Sequence, residues 1–336
     1  MDDMSNTTIS IIGGAGFIGS CLSRKLQQRE TVPFVIVDKV QSQCCPKESR
    51  VADVRSMEAL RQTIPARTVL INLAAEHRDD VTPRSLYDEV NVQGARNICA
   101  VATEKSVSTI IFTSSVAVYG FAPLGTDESG QINPFNDYGR TKFEAEQVFK
   151  AWQEQAPTER TLVIIRPTVV FGEQNRGNVY NLLRQIASGR FLMVGNGENR
   201  KSVAYVENVV ALLEYAIVFK PGVHIFNYID KPDFTMNTLV TTVNSILGKA
   251  EKKIIRLPYS IGYAIGRCFD AVAALSGKKF AISSIRVKKF CANSVYNTAI
   301  DKTGFVPPVP LSEALRRTVR HEFIEAHAQD AVFYSE

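Results

Sequence analysis

Short runs of β-branched and aliphatic residues recur along the chain, and longer stretches with apolar residues at helical spacing separate them. The runs of this kind are residues 8–12, 34–37, 68–75, 109–112, 162–165 and 224–228. Short, continuous apolar runs are typical of strands that are buried on both faces, as in a parallel sheet. Their alternation with helices predicts an α/β protein with a doubly wound parallel sheet.

The stretches between these strands carry an apolar stripe on one helical face. The predicted helices are residues 20–28, 87–103, 179–187, 206–219, 258–275 and 311–328, together with a helix that begins near residue 138. Each is long enough to cover part of a sheet or to belong to a separate lobe.

Composition narrows the class of protein. The chain has 336 residues, 45% of them apolar and 22% charged, and a net charge of +5. Such mild basicity without a zinc-finger or RNA-binding signature predicts no nucleic-acid partner. No run reaches the ~18 apolar residues of a membrane-spanning helix, and the first residues do not resemble a signal peptide. The six cysteines include no C-x-x-C pair, so we expect free thiols in a reducing cytoplasm and no metal site.

A glycine-rich turn follows the first predicted strand. Gly13, Gly16 and Gly19 form a G-x-x-G-x-x-G pattern, and Phe17 and Ile18 lie within it, where the next helix begins. Strand, glycine turn and helix are together the context of a dinucleotide-binding fingerprint. The glycines let the backbone approach a pyrophosphate, which the amides of a helix N-terminus bind. All five residues are therefore candidates for cofactor binding.

An acidic residue ends the second predicted strand. Asp38 lies about 20 residues past the glycines, where a carboxylate accepts hydrogen bonds from the adenosine ribose. Its charge would repel a 2′-phosphate, so it favours NAD over NADP, although Lys39 lies beside it. Two interpretations of Asp53 and Val54 remain open. They contact the adenine, or Asp53 caps the helix that begins near Met57.

The third predicted strand ends in small residues and is followed by a charged loop at residues 76–80. Ligands bind at the carboxyl edge of a doubly wound sheet, so we expect the strand end to contact the cofactor and the loop to contact cofactor or substrate. The strand-end candidates are Leu73, Ala74 and Ala75, and the loop candidates are Glu76, His77 and Arg78. A plain solvated loop is the alternative for the second group.

Tyr138 and Lys142 lie four residues apart and hence on the same face of a helix. An ammonium beside a phenol favours the phenolate, so we expect the pKa of Tyr138 to lie below its usual value of about 10. Such a tyrosine accepts a proton near neutral pH. Ser115 follows the strand at residues 109–112, where its hydroxyl can hydrogen-bond a substrate oxygen and the tyrosine.

Together these residues resemble the extended short-chain dehydrogenase/reductases, specifically the NAD-dependent sugar epimerase/dehydratase family. The resemblance runs over residues 9–208 and includes the glycine pattern, Asp38, Tyr138-x-x-x-Lys142 and Arg166. It implies a Rossmann sheet of about seven strands with NAD as cofactor, and a smaller C-terminal lobe over the sugar. It also implies that Ser115, Tyr138 and Lys142 are the catalytic residues.

Family dehydratases place an Asp-Glu pair just after the strand-end hydroxyl, in order to eliminate water. Val116 and Ala117 occupy these positions in this chain. Neither side chain carries a proton, so 4,6-dehydration is not expected.

Nearly the whole chain is also similar to bacterial enzymes of surface-polysaccharide (O-antigen) assembly. Those enzymes invert C4 of N-acetylglucosamine on undecaprenyl diphosphate and give the N-acetylgalactosamine form. The similar segments are residues 76–80, 156–160, 177–183 and 286–291. Three alternatives remain open: a UDP-N-acetylglucosamine or UDP-glucose 4-epimerase, an NAD-dependent dehydrogenase of a sugar or sterol alcohol, and a non-catalytic NAD-sensing protein.

The second half of the chain carries the candidate substrate contacts. Arg176 and Asn178 lie where the family binds sugar and diphosphate, and an arginine can hold a phosphate with two hydrogen bonds. Lys201 stands where related epimerases usually have Arg, and it can meet a phosphate only as a point charge. This difference at Lys201 weakens the case for an ordinary nucleotide sugar as substrate.

Residues 258–275 form an amphipathic helix with two open interpretations. Its apolar stripe packs on the core of the lobe, or it lies in a membrane interface while nearby Lys and Arg residues contact anionic headgroups. The basic residues that follow are Lys278, Lys279, Arg286, Lys288 and Lys289. A lipid-linked substrate would explain the second interpretation, and would place the protein on the cytoplasmic face of the inner membrane.

These observations predict two domains. Residues 1–170 and 204–230 form the NAD-binding Rossmann domain, and residues 171–203 and 231–336 form the substrate-binding lobe. The family resemblance further implies a homodimer that associates through two helices.

Overall fold

Seven strands form one parallel sheet in the computed structural model, which describes residues 8–29, 32–78, 81–249, 254–276, 283–325 and 331–334. The strands are β1 (Ile9–Ile12), β2 (Phe34–Asp38), β3 (Ser49–Val51), β4 (Val69–Asn72), β5 (Thr109–Thr113), β6 (Thr161–Pro167), β7 (Val169–Phe171), β8 (Leu192–Val194), β9 (Arg200–Tyr205), β10 (Gly222–Tyr228), β11 (Asp230–Thr235) and β12 (Ile255–Leu257). The large sheet has the order β10-β6-β5-β4-β1-β2-β3. The α/β prediction and the strand count are confirmed.

Helices connect these strands, and those predicted at residues 179–187 and 258–275 have bounds close to the predicted ones, whereas α8 and α10 were not predicted. They are α1 (Phe17–Arg29), α2 (Met57–Thr63), α3 (Ser85–Tyr87), α4 (Gly94–Glu104), α5 (Asp137–Glu154), α6 (Asn178–Ser188), α7 (Val206–Tyr215), α8 (Met236–Ile246), α9 (Tyr259–Ser276), α10 (Ser284–Cys291) and α11 (Leu311–Phe323). The helix predicted at residues 87–103 contains a π-helical turn, Asp88–Gln93, between α3 and α4. The last predicted helix ends at Phe323, and residues 326–328 of that prediction lie outside the described residues.

The register of the large sheet aligns the carboxyl ends of its central strands. Ile12 is paired with Val37 on one side and with Asn72 on the other. The loops that follow β1, β2 and β4 therefore leave the sheet at the same edge. From β1 the strand order runs to β2 and β3 on one side, and from β4 it runs to β5 and β6 on the other. Ligands bind at such a switch point, here between β1 and β4.

Helices cover both faces of the large sheet. Side chains of α2, α4 and α5, such as Leu60, Ile98 and Trp152, form one buried cluster with the strands. Leu22 of α1 and Leu213 of α7 belong to the cluster on the other face. This three-layer packing leaves the carboxyl edge of the strands as the open part of the sheet.

The remaining strands form two small sheets. One has the order β11-β9-β7 and the other pairs β12 with β8. Leu183 of α6, Leu239 of α8 and Leu315 of α11 pack in one cluster beneath them. Most of this structure comes from the second half of the chain. The boundaries proposed for the two domains fall within β7 (170/171) and β9 (203/204), and the division stays a proposal.

The amphipathic helix α9 contacts the protein through its small residues. Gly262 and Gly266 are its buried residues, and a Cβ atom on Gly266 would lie 2.7 Å from the backbone of Ser284. The large apolar side chains point outward, since Ile261 is 49% exposed and Leu275 90%. The interpretation that this stripe packs on the core is therefore wrong. Within the described residues, no helix combines the length and apolarity needed to cross a membrane.

Candidate active site

The glycine turn between β1 and α1 is tightly packed. Gly13 has a φ of +75°, and a Cβ atom there would lie 2.5 Å from the amide nitrogen of Ala74. A Cβ atom on Gly19 would lie 2.4 Å from Gly14, so the first turn of α1 also touches the loop. Gly16 donates a main-chain hydrogen bond of 3.2 Å to Gly13. The three glycines thus allow one close turn that ends at a helix N-terminus.

Phe17 and Ile18 begin α1, and their side chains face the protein. The Phe17 ring lies 6.0 Å from that of Phe333, and Ile18 packs against the buried cluster on the α1 face of the sheet. The first turn of α1 contains no acidic residue, and its first amides have no partner within the helix. A bound anion would therefore meet main-chain N–H groups of Phe17 and Ile18, not their side chains.

Asp38 ends β2 and lies directly across the glycine turn. Its carboxylate accepts hydrogen bonds from the amides of Ala15 (3.0 Å) and Val40 (3.3 Å). Burial raises its pKa above the usual value, against the effect of these bonds and of Lys39. A half-buried carboxylate beside the phosphate-binding turn has spare acceptor capacity, which ribose hydroxyls can fill.

Asp53 does not cap α2. The N-cap is Ser56, whose side chain accepts a hydrogen bond of 3.3 Å from the amide of Ala59. Asp53 instead pairs with Arg55 at 2.8 Å, and this hydrogen-bonded ion pair lowers the pKa of the carboxyl. The capping interpretation is therefore wrong, and contact with an adenine stays a proposal. Val54 is buried against α4, where a Cβ atom on Gly94 would lie 2.9 Å from it.

A buried asparagine holds the loop after β4. The side chain of Asn91 accepts a hydrogen bond from the amide of Glu76 (2.8 Å) and donates one to its carbonyl oxygen (2.9 Å). It also donates to Thr141 of α5 at 2.9 Å. Asn91 lies in the π-helical turn, and such turns are frequent at functional sites. No local sequence pattern indicates this bridging role for Asn91.

Asn91 therefore brings the candidate loop next to α5. The strand-end candidates Leu73, Ala74 and Ala75, which precede this loop, are half-buried. The amide of Ala74 donates a hydrogen bond of 3.1 Å to the side chain of Asn72. β4 ends at Asn72, so Leu73 and Ala75 lie in the loop and not in the strand. His77 and Arg78 are exposed. Asp79 and Asp80 of the same predicted loop lie outside the described residues.

Ser115 and Tyr138 are brought together by a close approach of two backbone segments. A Cβ atom on Gly139 would lie 2.5 Å from the carbonyl oxygen of Ala117. This glycine lets the first turn of α5 rest on the 3₁₀ turn Val116–Tyr119, of which Ser115 is the N-cap. The side-chain hydrogen bond with Ser115 acts to lower the pKa of Tyr138. Packing thus brings the segments that carry the two predicted catalytic hydroxyls close together.

Burial has a larger effect on this tyrosine than its neighbours do. It raises the pKa of Tyr138 to about 12, and it lowers the pKa of Lys142, which is 2% exposed, to about 7. The prediction that Lys142 depresses the pKa of Tyr138 is therefore wrong for the protein alone. Desolvation favours the neutral form of both groups, and a lysine with a pKa near 7 carries only part of its charge at neutral pH.

A buried ion pair lies behind Lys142. Glu146, one turn further along α5, pairs with Arg166 of β6 through two hydrogen bonds of 2.8 and 2.5 Å. Ser114 donates to the same carboxylate at 2.6 Å. Arg166 also donates to the hydroxyl of Tyr119 at 2.7 Å.

The three substrate residues predicted in the second half of the chain, Arg176, Asn178 and Lys201, have different surroundings. Arg176 pairs with the buried Glu322 of α11, and its guanidinium stacks 4.2 Å from the ring centre of Tyr180. The guanidinium of Arg176 is therefore paired within the protein, contrary to the expectation that it binds a substrate phosphate. Asn178 is exposed at the first position of α6.

Lys201 lies on β9 and is half-buried. Its Nζ atom donates a hydrogen bond of 2.9 Å to the carbonyl oxygen of Lys289 in α10. Burial lowers its pKa to about 8. This lysine therefore joins β9 to the basic helix α10.

The residues at the carboxyl edge of the sheet fit NAD. The glycine turn leaves room for a pyrophosphate at the start of α1, and Asp38 faces the same turn. Within the described chain, the hydroxyl of Thr113 is buried next to Lys142 and has no hydrogen-bond partner. A bound cofactor could form a hydrogen bond with this unpaired hydroxyl beside the catalytic residues.

Comparison with known proteins agrees with this geometry. Residues 9–227 match the model of the NAD dependent epimerase/dehydratase family. The chain is 48% identical over 335 residues to N-acetyl-alpha-D-glucosaminyl-diphospho-ditrans,octacis-undecaprenol 4-epimerase of Escherichia coli O157:H7, covering 98% of this chain and 100% of that protein. It is 26% identical to UDP-glucose 4-epimerase of Vibrio cholerae, covering 95% and 96% of the two chains.

Solved structures share the fold at lower identity. UDP-glucose 4-epimerase from Thermotoga maritima superimposes with a TM-score of 0.73 at 20% identity, over 94% of this chain and 98% of that one. UDP-N-acetylglucosamine 4-epimerase from Bacillus cereus gives the same TM-score at 16% identity, with the same coverage.

Proposed function

The chain belongs to the NAD dependent epimerase/dehydratase family, and we propose that it inverts C4 of N-acetylglucosamine carried on undecaprenyl diphosphate. The product is the N-acetylgalactosamine form, for surface polysaccharide. The observation that carries the proposal is the close approach of the backbone segments that hold Ser115 and Tyr138, beside the buried Lys142. This arrangement can remove a proton from a substrate hydroxyl. The proposal is further supported by the 48% identical relative, whose name states the 4-epimerisation of this lipid-linked sugar.

Each catalytic residue has a separate task. Tyr138 accepts the proton of the C4 hydroxyl and returns one after the sugar has turned over in the site. Ser115 holds the same oxygen by a hydrogen bond. Lys142 supplies positive charge and free N–H donors near the hydroxyl of Tyr138. NAD, when bound, supplies a hydride acceptor that is regenerated in each turnover, and its positive charge lowers the pKa of a nearby phenol.

The residues after Ser115 argue against elimination of water. Val116 and Ala117 occupy the start of the 3₁₀ turn that packs on α5. Neither side chain is an acid or a base, so no group at these positions can carry a proton to a leaving hydroxyl. Epimerisation needs no such group, because Tyr138 both removes and returns the proton.

The lipid carrier is supported by the surface of α9. Its outward apolar side chains are accompanied by the basic helix α10, a combination that binds to anionic lipid headgroups. We infer contact with the cytoplasmic face of the membrane that holds the lipid-linked sugar. Lys278 and Lys279, which were predicted to take part, lie outside the described residues. Liposomes with anionic lipid should pellet the protein at low salt and release it at high salt, and a lack of pelleting at low salt would refute this contact.

A homodimer and the two-domain division stay proposals from the family resemblance. The two helices of such a dimer are not identified by the resemblance. The helices α4 and α5, which are fully described and pack in one buried cluster, carry no exposed large hydrophobic residue. Association through them would therefore use polar and small side chains. The predicted domains still place NAD in the first region and the sugar in the second.

The experiment that tests the function offers the purified protein two substrates, N-acetylglucosamine on undecaprenyl diphosphate and the same sugar on UDP. We expect the C4 epimer from the lipid-linked substrate at a much higher kcat/KM. A preference for the UDP-linked sugar would favour a nucleotide-sugar 4-epimerase instead. NADH formed in equal amounts with product would favour a dehydrogenase, and the absence of any product would favour an NAD-sensing protein.

A further inference from the structure

Two aromatic rings stack on each other at the surface. The rings of Phe121 and Phe135 lie 4.8 Å apart between centroids, and the two residues are 59% and 47% exposed. Single exposed apolar residues are common on soluble proteins. A stacked pair of rings that stays half exposed is less common, because it presents a continuous apolar surface to solvent.

The ring pair lies next to the catalytic residues. Phe121 follows the 3₁₀ turn that begins after Ser115, and Phe135 directly precedes Asn136, the N-cap of α5. Tyr138 is the third residue after Phe135, which limits the distance between their backbones to about 10 Å. The rings therefore stand on the two segments that carry Ser115 and Tyr138.

Two lysines of α10 approach these rings. The Nζ atom of Lys289 lies 4.7 Å from the ring centre of Phe135, and that of Lys288 lies 5.9 Å from the ring centre of Phe121. In the described parts of the chain, neither lysine forms an ion pair with a carboxylate. α10 itself contains no acidic residue. The cluster thus combines apolar surface with two uncompensated positive charges.

This combination matches a ligand with an anionic part and an apolar part. Two ammonium groups suit a diphosphate, and stacked rings suit a planar or branched hydrocarbon. α10 packs against α9, whose outward side chains include Ile261 and Ile265. The helix that carries the two lysines therefore lies against the helix that carries this longer apolar surface, along which a prenyl chain can lie.

We propose that Phe121, Phe135, Lys288 and Lys289 bind the diphosphate and the first isoprene units of the lipid carrier. This site rests on the proposed lipid-linked substrate and extends it, because it assigns the carrier to particular side chains. The lysines hold the diphosphate, and the ring pair holds the hydrocarbon next to it. The sugar then lies over Ser115 and Tyr138.

Equilibrium dialysis with geranyl diphosphate tests the site without any turnover. The paired variants are F121A/F135A and K288Q/K289Q, and the controls are V306A and K302Q, which remove an exposed apolar side chain and an exposed lysine elsewhere. We expect each paired variant to weaken binding about tenfold or more, a loss of about 1.4 kcal/mol. Binding of inorganic pyrophosphate should weaken only in K288Q/K289Q. Both controls should bind as the wild type does.

Several outcomes would overturn the proposal. Unchanged geranyl diphosphate binding in F121A/F135A would do so, even if the lysine variant were impaired. So would a loss of UDP binding in F121A/F135A larger than the loss of geranyl diphosphate binding, since the rings would then hold a nucleoside. A change in liposome pelleting alone would make the cluster a membrane contact.

The result is separable from the proposed reaction. A protein that binds geranyl diphosphate through these residues but epimerises only the UDP-linked sugar would keep the site and lose the proposed function. Thermal unfolding of each variant checks that the fold is intact. F121L/F135L, which keeps apolar surface but removes the stacking, should bind better than F121A/F135A.

Discussion

Lys142 donates a hydrogen bond of 2.7 Å from its Nζ atom to the carbonyl oxygen of Thr113, the last residue of β5. This bond fixes the catalytic face of α5 to the carboxyl edge of the sheet. An ammonium has three donors, so two remain for ligands at the place where the Thr113 hydroxyl, among the residues that the structure describes, also has no partner. The position of Lys142 thus explains both its burial and its availability to a cofactor.

The burial of Lys142 predicts a specific dependence of stability on pH. Its pKa is about 7 in the folded protein, against about 10.4 for an unfolded lysine. Between these values the unfolded chain binds more protons, so the free energy of unfolding rises with pH. We expect Lys142→Met to be more stable than the wild type at pH 6, by at most roughly 4–5 kcal/mol, and the difference to vanish towards pH 10.

Urea denaturation at several pH values measures this difference. The control is Lys150→Met on the same helix, which should show little change with pH relative to the wild type. A stability difference between Lys142→Met and the wild type that does not vary with pH would contradict the burial argument.

Glu146 and Glu144 offer a matched pair on one helix. Glu146 is fully buried and holds Arg166, whereas Glu144 pairs with Arg140 at the surface. Removing one partner of a buried pair leaves an uncompensated charge and costs about 3–5 kcal/mol, but an exposed pair contributes about 0.2–1 kcal/mol. We expect Glu146→Gln to be destabilised several times more than Glu144→Gln in chemical denaturation. Equal losses would show that the buried network carries no special stability.

Asp38 predicts a preference for NAD over NADP. Its half-buried carboxylate repels a 2′-phosphate and accepts hydrogen bonds from ribose hydroxyls. We expect Asp38→Ser to weaken NAD binding and to reduce the preference for NAD about tenfold or more, an effect of about 1.4 kcal/mol, as measured by calorimetric titration of both cofactors. Asp53→Asn is the control, because it should affect the two cofactors alike. An unaltered preference in Asp38→Ser would place the ribose elsewhere.

Tyr138→Phe should separate chemistry from binding. It removes the hydroxyl but keeps the ring, so NAD affinity should stay near that of the wild type. The loss of a proton acceptor in the transition state should lower kcat about 10²–10⁴-fold. Tyr180→Phe, which keeps the ring beneath Arg176, should retain activity. Near-normal kcat in Tyr138→Phe would remove this tyrosine from the catalytic role.

The parts of the site that the sequence predicted well are local in the chain. The glycine turn lies directly between a strand and a helix, and Asp38 ends the next strand. Such placements follow from short-range periodicity and turn chemistry. The spacing of Tyr138 and Lys142 likewise predicted their shared helical face, which the bounds of α5 confirm.

The parts that the sequence did not reveal depend on distant contacts. Asn91 reaches Thr141 on another helix, and Glu146 reaches Arg166 on a strand. No local pattern indicates which polar residues will meet after folding. The sign of the Tyr138 pKa shift was also wrong, because spacing shows that a lysine is near but not how strongly both groups are desolvated. For α9, the apolar stripe was visible but its outward direction was not.

The most direct test of the central claim uses N-acetylglucosamine on undecaprenyl diphosphate with deuterium at C4. If the protein is a C4 epimerase, the deuterium leaves C4 and returns to the opposite face of the same carbon. The account therefore predicts an N-acetylgalactosamine product that retains deuterium at C4, with no accumulation of NADH. Product that has lost its deuterium to solvent, or NADH that accumulates with each product formed, would contradict it.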